Sequence, residues 1–150
     1  MQALYAQLLG GADPEHCVST IIKPRLGDDT PTYEFARNLF LKCVDHEAES
    51  TTIIEEHTQN WDVARIAVVD RVIIQMAIVE FLYFDDVPPK VTMNELIEIA
   101  KKYSTEGSGR FVNGILDAVL ADLMKKGRIN KKGRGLVGMA NSSKVKTKAE

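Results

Sequence analysis

Residues 62–84 read DVARIAVVDRVIIQMAIVEFLYF, and seventeen of these twenty-three are apolar. At 100° per residue the polar exceptions scatter. Asp62 and Glu80 share one direction, Asp70 takes another and Arg71 the opposite one. A helix that is apolar all round is enclosed by its neighbours. The stretch therefore predicts a central helix, ~35 Å long at a rise of ~1.5 Å per residue. Arg65, Asp70, Arg71 and Glu80 cannot all reach bulk water from it, so each buried charge needs a partner or a functional contact.

The flanking sequence is helical too. Asp85-Asp86-Val87-Pro88-Pro89 ends the central helix, and Thr92 with Glu95 has the spacing of a capping box. Leu96, Ile97, Ala100 and Tyr103 form the next apolar stripe, and residues 104–109 are a loop of small residues. Phe111, Val112, Ile115, Leu116, Val119, Leu120 and Leu123 then repeat on one face, with Gly127 as the C-terminal stop. Upstream, Leu4, Leu8 and Leu9 make a short helix that Gly10-Gly11 ends. Asp13-Pro14 starts a second, which Pro24 limits, and Thr30-Pro31 starts a third through Val44. Glu49-Ser50-Thr51-Thr52 predicts a break, with a short helix capped by Thr52 and Glu55 beyond it. No run alternates apolar and polar residues and no hairpin dipeptide occurs, so the fold class is all-α.

A length of 150 residues suits one domain, and 45% apolar with 27% charged residues is ordinary for a globular chain. No stretch reaches 18 uncharged apolar residues, so no membrane span is expected. Met1-Gln2-Ala3-Leu4-Tyr5 lacks the pattern of a signal peptide, and Cys17 and Cys43 read as free thiols of a reducing cytoplasm. The net charge of -2 hides a division. Residues 125–150 hold nine basic residues and one acid, +8, against -10 for the rest. With no apolar periodicity after Gly127, residues 1–127 are expected to fold as the body and 128–150 to form a flexible basic tail. Removing that tail should then change stability by less than ~0.5 kcal/mol.

Few motifs carry chemistry. His16, Cys17, Cys43 and His46 could surround zinc, but neither pair has finger or ribbon spacing and Cys43 lies on an apolar stripe. No metal and no cofactor is expected. There is no phosphate-binding glycine loop with its lysine, no Gly-x-Ser-x-Gly and no dinucleotide fingerprint, so no catalytic residue is nominated. Nucleic-acid chemistry has more support. Lys101, Lys102 and Arg110 bracket the loop that holds Ser108, and Phe111 stands at its exit. The loop ends at a helix N-terminus, where free N–H groups favour an anion. Cations for phosphates beside a ring for a base is a single-strand RNA arrangement. The competing reading leaves Phe111 in the core and the lysines as solubilising charge. The basic tail adds a sequence-blind attraction to phosphate, or serves only solubility.

Several of these stretches, in order, resemble the bacterial NusB family. They are Asn60-Trp61-Asp62, Arg65-Ile66-Ala67 and Asp70-Arg71, then Met76-Ala77-Ile78-Val79-Glu80 ahead of Asp86-Val87-Pro88. Lys90 to Glu95, Ile99 to Ser104 and Arg110-Phe111-Val112-Asn113-Gly114-Ile115-Leu116-Asp117 continue the likeness, and Gln2-Ala3-Leu4-Tyr5 is a weaker match. The resemblance implies about seven helices in two packed sub-bundles, roughly residues 1–59 and 60–127. It implies a transcription antitermination factor without catalytic activity. That factor pairs with NusE, a small-subunit ribosomal protein, and binds boxA RNA. The heterodimer joins the RNA polymerase antitermination complex on ribosomal RNA operons. By position, Tyr5 and Asp70 match residues of the NusE surface, and Arg110 and Phe111 match the RNA-facing end of the last helix.

Three departures stand out. An Arg-rich stretch usually precedes the Gln-Ala-Leu-Tyr segment, whereas this sequence starts inside that helix, so the chain alone is expected to bind RNA weakly. Gly107 replaces a common Asp, and Gln75 a common Arg. Two other functions compete: a stand-alone RNA-binding module like that fused to ribosomal RNA cytosine methyltransferases, and a helical scaffold that binds only protein.

Overall fold

The computed structural model describes residues 1–59, 65–105 and 107–139. Among them there is no strand, and seven helices form the fold. They are α1 (Gln2–Gly10), α2 (residues 14–26), α3 (Thr30–Asp45), α4 (Glu47–His57), α5 (Val68–Tyr83), α6 (Pro89–Tyr103) and α7 (Ser108–Lys125). A 3-10 turn, Gly133–Leu136, follows.

The central helix is α5. Every residue from Val72 to Phe81 is buried, including Gln75 and Glu80. It packs against α6 and α7 on one side and against α1, α3 and α4 on the other. Fully burying one of its Val or Ile side chains stabilises the fold by roughly 1.5–3 kcal/mol. The helix is shorter than the 62–84 stretch predicts. Residues 65–67 lie outside it, with Ala67 extended at ψ 137° as its N-cap, and residues 60–64 lie outside the described residues. Arg65 is exposed and Arg71 half-buried, so neither needs a buried partner, whereas Asp70 and Glu80 do. Gln75 donates to the Cys43 carbonyl at 3.2 Å and satisfies a last-turn acceptor of α3.

Several boundaries move, each for a local reason. Pro24 does not stop α2. A π-helical turn, Val18–Ile22, precedes it, with Lys23 N–H donating to Val18 O five residues back. The widened turn absorbs the bond that proline cannot make. Asp29, not Thr30, caps α3, accepting from Thr32 N at 3.2 Å and Thr32 Oγ1 at 2.7 Å. The predicted break at 49–52 falls at His46 instead. Ser50 and Thr52 are helical, their hydroxyls donating back to the carbonyls of Glu47 and Ala48. Thr92 is likewise inside α6, which Pro89 opens at its first position.

Gly127 behaves as expected. Its φ of 68° allows Gly127 N–H to reach Met124 O and Arg128 N–H to reach Leu123 O, a Schellman closure of α7.

Residues 128–139, placed by the sequence in the basic tail, make specific contacts with the body. Arg128 pairs with Glu49. Lys131 is buried, and its Nζ donates to Glu80 O at 2.8 Å and Phe84 O at 2.7 Å. Lys132 N–H donates to Asp85 O, and Gly135 lies so close to that carbonyl that a Cβ would collide with it. One lysine closing the last carbonyls of α5 holds this segment. Hydrophobic periodicity is blind to such an anchor. Residues 140–150 of the predicted tail lie outside the described residues.

Candidate nucleic-acid and partner interface

The α6–α7 connection gathers the predicted RNA-binding residues at one end of the bundle. Lys101 and Lys102 occupy the last turn of α6 and are exposed. Lys102 Nζ stands 5.1 Å from the Tyr103 ring centre, a cation–π distance, and Tyr103 is half exposed. Lys101 pairs with Glu98 at 3.1 Å, and its aliphatic stem runs across Gly109. A Cβ at Gly109 would meet Lys101 Cγ at 2.7 Å, so glycine there lets the lysine lie flat. Gly107, at φ 89°, makes the left-handed turn into α7. Arg110 is exposed one turn further on. Lys101, Gly109, Arg110 and Asn113 line an open cleft, and Phe111 shares a second depression with Arg110 and Gly114. Phe111 is half-buried and packs on the core.

Ser108 is buried rather than facing solvent. Its Oγ lies 3.0 Å from Asp70 Oδ2, 2.9 Å from Thr105 Oγ1 and 3.0 Å from Ser104 Oγ. The Asp70 carboxyl thus sits against the N-terminal turn of α7. The position that would favour an anion from solution already has an acidic group beside it from within. The exposed positive charge at this end is therefore carried by the side chains of Lys101, Lys102 and Arg110. Asp70 itself is 5% exposed and its Oδ1 has no hydrogen-bond partner among the described residues.

Tyr5 lies elsewhere. It is 42% exposed on α1, and Leu9, one turn on, is also exposed. The buried Ala3 and Leu4 of that helix line an apolar cavity of about 260 Å³ with Met76. Met76 is six residues beyond Asp70 on α5, or ~9 Å along the axis. By its hydrogen bond, Asp70 belongs with the loop.

The four residues considered for zinc do not come together. Cys43 is fully buried, and burial pushes its thiol up to about 12, far from the thiolate that a metal needs. His46 turns to Glu49 at 3.2 Å and stacks on Tyr83. His16 is exposed while Cys17 is buried. A cluster the sequence reading missed is Glu56, His57 and Asp122. His57 Nδ1 lies 2.7 Å from Ile53 O and Nε2 lies 3.3 Å from Asp122, whose carboxylate also takes Lys126 at 2.9 Å. The Lys126 hydrogen bond foremost holds Asp122 below the usual carboxylate range. With an ammonium already among these acids, the cluster is an ion-paired staple between α4 and α7. It joins residues 65 positions apart, beyond any local spacing rule.

The model of the NusB family matches residues 1–121. The chain belongs to the NusB family. It is 47% identical over 139 residues to the transcription antitermination protein NusB of Salinibacter ruber, covering 93% of this chain and 87% of that one. It is 40% identical to the Chloroherpeton thalassium NusB, covering 93% of this chain and 66% of the relative. Among solved structures, T. maritima NusB aligns with a TM-score of 0.73 at 34% identity, over 81% of this chain and 84% of that one. A structure of NusB and NusE in complex with double-stranded RNA aligns at 0.73 and 27% identity, over 80% and 89%. The NusB family fold thus accounts for all seven helices. Among the described residues no helix is long and apolar enough to cross a membrane.

Proposed function

We propose that this chain is a cytoplasmic transcription antitermination factor without catalytic activity. It binds boxA-type single-stranded RNA together with NusE and joins the RNA polymerase antitermination complex on ribosomal RNA operons. The observation that carries this reading is the loop between α6 and α7. There, exposed Lys101, Lys102 and Arg110 stand around open depressions that the half-buried Phe111 also lines. Cations for the backbone and a ring for a base suit a single strand. The family relatives named for antitermination, and the related complex of NusB with NusE and RNA, support it. Tyr5, exposed on α1, is assigned to the NusE-facing surface.

With NusE, affinity for boxA rises and becomes selective. A competition titration of boxA against a scrambled RNA, at two salt concentrations with and without NusE, tests this. Equal affinity for both RNAs in the presence of NusE rejects the reading in favour of a protein-only scaffold.

A further inference from the structure

We propose that Asp70 is a positioning residue for the RNA-facing loop, acting through Ser108 and touching neither RNA nor NusE. The proposal rests on the loop being the RNA site. Two loop hydroxyls, of Ser104 and Thr105, and the Asp70 carboxyl converge on the Ser108 hydroxyl. Ser108 has a single proton, and the carboxyl of Asp70 is its strongest acceptor, so that proton goes to Oδ2 at 3.0 Å. The Ser108 oxygen is then left to accept from Thr105 at 2.9 Å and Ser104 at 3.0 Å. Ser104 is the C-cap of α6, Ser108 the first residue of α7, and Asp70 lies in the first turn of α5. One carboxyl therefore ties three helix ends together. It fixes the turn that places Lys101 across Gly109 and sets Arg110 and Phe111 on the next turn.

Asp70 gains little for itself in this arrangement. Its Oδ1 is buried and has no hydrogen-bond partner among the described residues, which costs more than an apolar side chain would at that place. Because that atom is buried, a macromolecular partner cannot reach it without prior opening of the loop. A contact role is thereby disfavoured and an internal one favoured.

The test compares Asp70→Ala, Ser108→Ala, the double variant and Ser108→Thr in the full chain. Three readouts are taken: boxA affinity with saturating NusE, NusE affinity without RNA, and hydrogen exchange of the 104–111 amides. Each single alanine variant should weaken boxA binding about tenfold and speed loop exchange at least tenfold. The double variant should be no worse than the worse single, Ser108→Thr should restore both, and NusE affinity should not move. If Asp70→Ala weakens NusE binding while Ser108→Ala does not, Asp70 is a contact residue and the proposal is overturned. It is equally overturned if melting temperature falls with loop exchange and boxA affinity unchanged. Should the wild type show no boxA selectivity, the functional reading fails while the exchange data still decide whether Asp70 and Ser108 hold the loop.

Discussion

The two ends of α5 are each closed by a polar side chain, and they are closed differently. At the C-terminal end the Lys131 ammonium donates to two carbonyls, Glu80 O and Phe84 O, with the acidic Asp85 and Asp86 nearby. At the N-terminal end the Asp70 carboxyl takes one hydroxyl and leaves an oxygen orphaned. The first arrangement is nearly saturated and ties a distant segment down. The second is left incomplete, directly beneath the exposed basic loop. Completeness marks the end that ties down residues 128–139, and a tolerated deficit marks the end we propose for RNA binding.

The sharpest way to break this contrast is at Lys131. Lys131→Ala removes both bonds to the α5 carbonyls and the cation facing Glu80, so it should cost ~2–4 kcal/mol in urea unfolding. Truncation after Gly127 should cost as much, reversing the near-neutral effect expected from sequence. A loss below ~0.5 kcal/mol in both would reduce the segment to an ornament of the surface.

A second prediction concerns Glu80 at the same end. Burial raises its carboxyl from 4.5 to about 7, against the pull of Lys131. A raised acid binds protons more tightly folded than unfolded. Its protonated form therefore contributes stability fully below about 4.5, and that contribution is lost as the pH rises through about 7. Glu80→Gln should match wild type near pH 4.5 and exceed it by up to ~3 kcal/mol near pH 8, at 1.36 kcal/mol per unit. Equal stabilities at both pH values would show that Lys131 neutralises Glu80 completely.

The smallest effects belong to the other end. Phe111→Ala should weaken boxA binding by ~1–3 kcal/mol if a base stacks there, with circular dichroism confirming the fold. Lys102→Ala should lower affinity for boxA and scrambled RNA alike and flatten the salt dependence by about one phosphate. A Lys102→Ala effect confined to boxA would move that lysine from backbone to base contact.

Much of this was legible from residue order. The apolar stripes of α3, α6 and α7, the all-round apolar α5, the Asp13-Pro14 start and the Gly127 stop all follow local rules and appear where those rules put them, save that α5 starts later, at Val68. Local rules failed where hydroxyls had a choice. Ser50 and Thr52 could end a helix or bond back into one, and the sequence does not say which. Composition gave no sign of the contact at residue 131, because Lys131 looks like any solvated lysine until the carbonyls of α5 are in place. The loop cations were found because they are neighbours in sequence. Asp70 and Ser108, 38 residues apart, were each singled out for separate roles, and only the fold joins them in one hydrogen bond.

The Lys131 anchor also has a consequence in time. A ribosome releases the chain from its first residue onward. Residue 131 emerges only after all seven helices, 48 positions behind the last residue of α5. Until then Glu80 O and Phe84 O have only their backbone donors, Phe84 N–H and Val87 N–H, and lack the ammonium. The most enclosed helix described is thus finished late at its C-terminal end, since vectorial synthesis delays that closure until residue 131 has emerged.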